Sequence, residues 1–180
     1  MDGAPGGKST AKQHQLYESV AAAYGPALDR VAAAYEADLD KRRDLRQEIH
    51  LQLWRSFEVF DERCALKTWA FRVAHNTAVS YVSRERRRNA SLFSLEDVAE
   101  VGAEAPPEAG IDERRALERL LQIIRKLKPL DRQIMLSYLE DMDAASIAEI
   151  TGLSPANISM KIHRIKNVLA RQFVQEHERV

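Results

Sequence analysis

The chain has 180 residues, enough for one or two domains, and its 45% hydrophobic and 30% charged content suits a globular protein. No apolar run approaches the eighteen or so residues of a membrane span, and the opening MDGAPGGKST lacks the apolar segment of a secretory signal, so membrane insertion and export are not expected. The lone cysteine, Cys64, excludes an internal disulfide and suggests a reducing compartment, so the cytoplasm is the expected location; net charge is zero.

The neutral total hides an uneven distribution. Residues 13–90 hold thirteen Lys/Arg against eleven Asp/Glu, residues 91–112 hold six acids and no base, and residues 113–180 hold twelve bases against nine acids. Two mildly basic blocks thus flank an acidic strip. Local clusters, not totals, make a nucleic-acid footprint.

In chain order, residues 1–12 read as a flexible tail. Their GAPGGKST tempts a phosphate-loop reading, which fails: the required glycine falls at Asp2, the Gly3–Gly7 spacing is one short, and no strand precedes it. Residues 13–36 carry a helical pattern broken at Gly25-Pro26. Residues 38–57 form a second helix, with Leu39, Leu45, Ile49, Leu53 and Phe57 as its apolar stripe. The loop FDERCAL at 60–66 follows, with Cys64 in it beside Arg63. Residues 66–88 form a third helix that holds three rings, Trp69, Phe71 and Tyr81, and four arginines in its last five positions. Residues 13–90 make one domain. SLFSLEDVAEVGAEAPPEAG, with its Pro-Pro pair and no apolar period, reads as a flexible linker spanning 91–112.

The remainder, residues 113–180, is a second domain of four helices: about 112–127 (Leu117, Leu120, Leu121, Ile124, Leu127), 129–140 begun by Pro129, 143–151, and 155–175. No alternating β-pattern of useful length appears, so the fold class is all-α, two small helical domains, the C-terminal one a helix-turn-helix. In that motif Ile147, Ala148 and Ile150 face inward and Gly152 ends the helix. Leu153 plugs the turn, Ser154 caps the next helix and Pro155 opens it.

At 100° per residue, Ile158, Ile162, Ile165 and Leu169 share about one 60° sector of the last helix. The opposite side carries Ala156, Asn157, Met160, His163, Arg164 and Asn167, flanked by Lys161 and Lys166, and no acid occurs from Pro155 to Gln175. An acid-free polar face fits a polyanion. Asn suits adenine edges and Arg suits guanine edges in the major groove. The predicted duplex-reading set is therefore Ala156, Asn157, Met160, Lys161, His163, Arg164 and Asn167.

LRQEIHLQLWRSFEVFDERCALKTWAFRVAHNTAVSYVSRERRR resembles the second region of bacterial sigma factors, in particular the small two-domain extracytoplasmic-function (ECF) group. Asp44, Gln47, Glu48 and Trp54 match one of its helices. Thr68, Trp69, Asn76 and Arg84–Arg88 match the next. LKPLDRQIMLSYLEDMDAASIAEITGLSPANISMKIHRIK resembles the family's fourth region. The chain departs from the pattern at Lys41-Arg42-Arg43, His50, Leu66 and Ala70.

The resemblance implies a promoter-directing initiation factor. It implies docking on core RNA polymerase, at the clamp helices of the largest subunit through Asp44, Gln47, Glu48 and Trp54, and at the flap. It also implies promoter DNA and an anti-sigma protein as partners, and a place in the nucleoid through polymerase. Opening a −10 element needs bases stacked on rings, a base held along its pairing edge, and cations on the backbone. Lys67, Trp69, Arg72, Asn76, Arg84, Arg86, Arg87 and Arg88 are the residues expected to do this. Trp69 is equally readable as core, and Phe71 and Tyr81 read as core. No nucleophile, base and orienter assemble, no metal spacing is present, and no cofactor is expected. The alternative is a stand-alone helix-turn-helix regulator that binds duplex DNA without core polymerase.

Overall fold

The computed structural model describes residues 6–92 and 111–177, with side chains for residues 10–88 and 115–171. The described residues form seven α-helices and no strand: α1 (Gly6–Tyr35), α2 (Leu39–Ser56), α3 (Leu66–Leu92), α4 (Ile111–Arg125), α5 (Pro129–Leu139), α6 (Ala144–Thr151) and α7 (Pro155–His177). Apart from its two ends, which belong to α3 and α4, the acidic strip expected at 91–112 lies outside the described residues.

Two expectations for the N-terminus are corrected. Residues 6–12 are the first turns of α1 rather than a tail, and α1 continues unbroken through Gly25-Pro26 for thirty residues. A proline inside a helix removes one N–H and crowds the carbonyl four residues back. The burial of Val20, Ala27, Leu28, Val31 and Ala32 on either side of it outweighs that loss.

Helix α2 starts where the Asp38 carboxylate accepts from the Lys41 and Asp40 backbone N–H groups, both at 3.0 Å. Those bonds, the Lys41 one first, hold the Asp38 carboxyl below the usual carboxylate range. Leu45, Ile49, Leu53 and Phe57 form the buried stripe that their spacing predicts. Leu39 does not join it: as the first residue of α2 it turns to solvent and is 71% exposed. Helix α3 buries Ala70, Ala74 and Ala78, small residues that let α1 and α2 pack closely against it.

In the second half, α4 buries Leu121, Ile123 and Ile124, whereas Leu117 is exposed. The single predicted stripe is insufficient because α4 packs on α1 as well as on α5 and α7, so it needs two inward faces. Arg132 of α5 ties back to the end of α4, donating to the carbonyls of Arg125 and Leu127.

The two halves lie against each other. Helix α1 packs on α4, and α3 packs on α5 and α6. Arg30 forms a two-bond pair with the Glu140 carboxylate at 2.6 and 2.7 Å, Arg125 donates to the Ala33 carbonyl at 2.9 Å, and the Arg132 guanidinium lies 4.8 Å from the Tyr35 ring centre. At the centre is His75, fully buried, its Nδ1 3.3 Å from the Tyr35 hydroxyl and its Nε2 3.4 Å from Ser137 Oγ. Burial pushes this imidazole down to about 3, so it is neutral at any physiological pH.

Candidate nucleic-acid interface

The turn between α6 and α7 is built as its residue types require. The Asp143 carboxylate caps α6, accepting from the Ser146 N–H at 2.7 Å, and that bond holds its carboxyl below the usual range. Gly152 closes α6 at φ +75°, a conformation that strains any residue with a Cβ, and its N–H reaches the Ala148 carbonyl at 2.8 Å. Ser154 Oγ then accepts from the Asn157 N–H at 3.3 Å, with Pro155 in the first turn of α7.

This turn sets the orientation of α7. Ile158, Ile165 and Leu169 are buried and Ile162 packs beside them, as predicted. Ala156, Asn157, Met160, His163, Arg164 and Asn167 are all exposed, and Lys161 is half-buried. The predicted duplex-reading residues therefore share one side of one helix. Three α7 cations meet side chains of α5: Lys161 Nζ and an Arg164 nitrogen approach Asp131 at 2.7 and 3.4 Å, and Lys166 Nζ lies 3.4 Å from the Tyr138 hydroxyl. Sequence reasoning missed Asp131. The only signal for it was an acid in the first turn of the helix preceding the motif.

The predicted −10 residues are distributed along α3. Asn76, Arg84, Arg86, Arg87 and Arg88 are exposed, Arg84 with its guanidinium 5.6 Å from the Tyr81 ring centre and Arg88 paired with Glu85 at 3.2 Å. Lys67 and Arg72 instead contact the second half: Lys67 Nζ donates to the Glu140 carbonyl, and Arg72 donates to the Glu149 carbonyl at 3.2 Å. Arg72 Nε is left without a hydrogen-bond partner. Trp69 is half-buried, its Nε1 donating to Ser56 Oγ at 2.9 Å and its ring 5.2 Å from that of Phe60. Phe71 and Tyr81 are core, as expected.

On α2, Asp44, Gln47 and Trp54 are exposed, and Glu48 is half-buried, accepting from Gln52 at 3.0 Å. Asp44, Gln47 and Glu48 lie within about one turn and form one polar patch, with Trp54 farther along the helix. No helix among the described residues is long and apolar enough to cross a membrane, and no described group of three His, Cys, Asp or Glu could hold a metal ion.

The sigma-70 region 2 model matches residues 20–88 and the sigma-70 region 4 model matches residues 117–169, in that order and together over more than half of the chain. The chain belongs to the sigma-70 family. This sigma factor is 22% identical over 170 residues to the probable RNA polymerase sigma factor RfaY of Xanthomonas campestris pv. campestris, a match that covers 91% of this chain but only 42% of that protein. It is 29% identical over 136 residues to the ECF RNA polymerase sigma-E factor of Haemophilus influenzae, covering 70% of this chain and 71% of the relative. The likeness to the ECF group that the Asp44–Trp54 and Thr68–Arg88 motifs carry therefore holds. Its fold matches the sigma factor RpoE, solved in complex with the anti-sigma factor NepR from Bartonella quintana, with a TM-score of 0.64 at 22% identity over 86% of this chain and 94% of that one.

The Trp69 geometry makes a prediction for this sigma factor. Trp69→Ala is expected to destabilise the first half by about 2 kcal/mol, because half a ring leaves the Phe60 contact and Ser56 loses its donor. Trp69→Phe should cost about 1 kcal/mol, since the ring remains and only the hydrogen bond is lost. Thermal melts followed by circular dichroism measure both. An alanine variant that melts like the parent would mean that the ring contributes nothing to packing.

Proposed function

We propose that this sigma factor directs RNA polymerase to promoters. Residues 13–90 dock on core polymerase through Asp44, Gln47, Glu48 and Trp54 and hold the −10 element open. Residues 113–180 read the −35 element as intact duplex, and residues 91–112 join the two. Lys67, Trp69, Arg72, Asn76 and the Arg84–Arg88 cluster act on the opened strand and its backbone. The chain works in the cytoplasm, carries out no chemistry of its own and needs no cofactor.

One observation carries this reading. A capped turn presents an exposed, acid-free α7 face on the same chain as α3, a helix that carries exposed arginines at 84 and 86–88. Duplex and single-stranded DNA ask for those two different surfaces. Lys67 and Arg72 donate to carbonyls of the other half, so these contacts are given up when either cation turns to DNA. On this reading the compact arrangement is an idle form that polymerase opens. The solved relative with NepR supports an anti-sigma partner for this chain as well.

The test is run-off transcription on genomic fragments with purified core polymerase, followed by permanganate footprinting on the fragments transcribed. Reactive thymines should appear only when core enzyme and this chain are both present. A footprint by the chain alone would favour the stand-alone regulator. On such a fragment, Arg164→Ala is expected to weaken duplex recognition by roughly 10- to 100-fold, the range of one lost bidentate base contact, with no loss of core binding.

A further inference from the structure

Among the described residues, Asp131 is the acid that pairs with the predicted DNA-reading side chains. It sits in the first turn of α5, and its side chain is only 14% exposed. One carboxylate oxygen meets Lys161 Nζ at 2.7 Å and the other meets Arg164 at 3.4 Å. Lys161 and Arg164 are three residues apart, so one carboxylate bridges successive cations on the same face of α7. The two are not held alike. The Lys161 side chain is 28% exposed and tightly paired, whereas that of Arg164 is 66% exposed on the longer contact. An exposed pair of that length adds little and is readily exchanged. Lys161 is thereby withdrawn from general phosphate binding, and Arg164 is oriented but free to leave.

We infer that Asp131 is a positioning residue for duplex recognition, which sets the sequence discrimination of α7 by neutralising Lys161 and aiming Arg164. The inference rests on the −35-reading role proposed above. Binding to any duplex grows with the number of cations available to phosphates. A carboxylate beside the reading face opposes that term for every sequence alike. A guanine edge can replace it with two parallel hydrogen bonds to Arg164. Asp131 therefore weakens wrong duplexes more than right ones. The bland alternative is that Asp131 only complements the positive N-terminal end of α5, which would affect folding but not the choice of sequence.

The test uses holoenzyme formed from core polymerase and full-length chain. The probes are the upstream duplex of a promoter found by run-off transcription and a scrambled duplex of the same composition, titrated by fluorescence anisotropy across a salt series. D131N keeps the shape and removes the charge. It is expected to bind the scrambled duplex about fivefold more tightly, with a salt slope steeper by about 1. The ratio of affinities for the two duplexes should fall roughly tenfold, the size of one base contact. D131E should recover most of that ratio. In an R164A background, D131N should change the ratio no further, because its effect on discrimination runs through Arg164.

If D131N shifts both duplexes equally, or neither, the inference is overturned. Thermal melts of the variant separate those results from misfolding, and the R164A pair reports coupling even if D131N lowers stability. If parent holoenzyme fails to distinguish the two duplexes, the −35-reading role falls, and this inference with it.

Discussion

Phe71→Ala is expected to destabilise the first half by about 3–5 kcal/mol, the usual cost of emptying a fully buried aromatic site. Phe71 has no solvent exposure. It meets the Tyr24 ring edge-on at 6.3 Å and the His75 ring at 6.2 Å, so the substitution leaves a cavity between α1 and α3 and removes two ring contacts. A loss of that size is a large fraction of the roughly 5–15 kcal/mol that holds a domain folded. Val79→Ala, on the same helix but 37% exposed, should stay within about 0.5 kcal/mol of the parent. Urea unfolding followed by circular dichroism compares the two. Equal midpoints would show that the α3 face is turned differently from the arrangement described.

Acidification is the second large effect. His75 is pushed down to about 3 by burial alone, with no carboxylate contributing to the shift. Around it stand the Tyr35 phenol, itself pushed up to about 12 by burial and so neutral, and the Ser137 hydroxyl, with the Arg132 guanidinium over the Tyr35 ring. The unfolded chain takes up a proton at this histidine below about pH 6.5, and the folded chain does not until about pH 3. Between those values the unfolded state binds more protons. The contribution is therefore fully present above pH 6.5 and is lost as pH falls toward 3. At pH 5 the loss is about 2 kcal/mol. His50, half-buried against Tyr17, is also shifted down by burial and adds to the loss with the same sign.

His75 joins α1 and α3 to α5, so its burial is part of the contact between the halves. Melting temperatures at pH 7 and pH 5 should fall further for the parent than for His75→Gln, which keeps a polar group there but has no proton to gain. Equal falls would place the pH sensitivity elsewhere.

Much of the fold was legible because helices announce themselves locally. The spacing of Leu45, Ile49, Leu53 and Phe57 fixes the buried side of α2, and Ile158, Ile165 and Leu169 fix that of α7. Gly152, Ser154 and Pro155 mark the turn through their own conformational preferences. With the buried side known, the exposed side follows, and so Asn157, Met160, His163 and Arg164 could be named in advance. Pro26 misled because helix-breaking is a local cost, and it was overridden by burial contributed by other helices.

The sequence by itself determined the all-helical class, the motif between α6 and α7 and the family, since each is carried by local residue patterns. Only the tertiary structure decided that the halves close on each other. It also decided that His75 is sealed between Tyr35 and Ser137, that Lys67 and Arg72 turn to the carbonyls of Glu140 and Glu149, and that Asp131 holds Lys161 and Arg164. Each of those contacts joins residues thirty or more positions apart, a separation that no helical period encodes. What settles them is the fit of one buried surface against another.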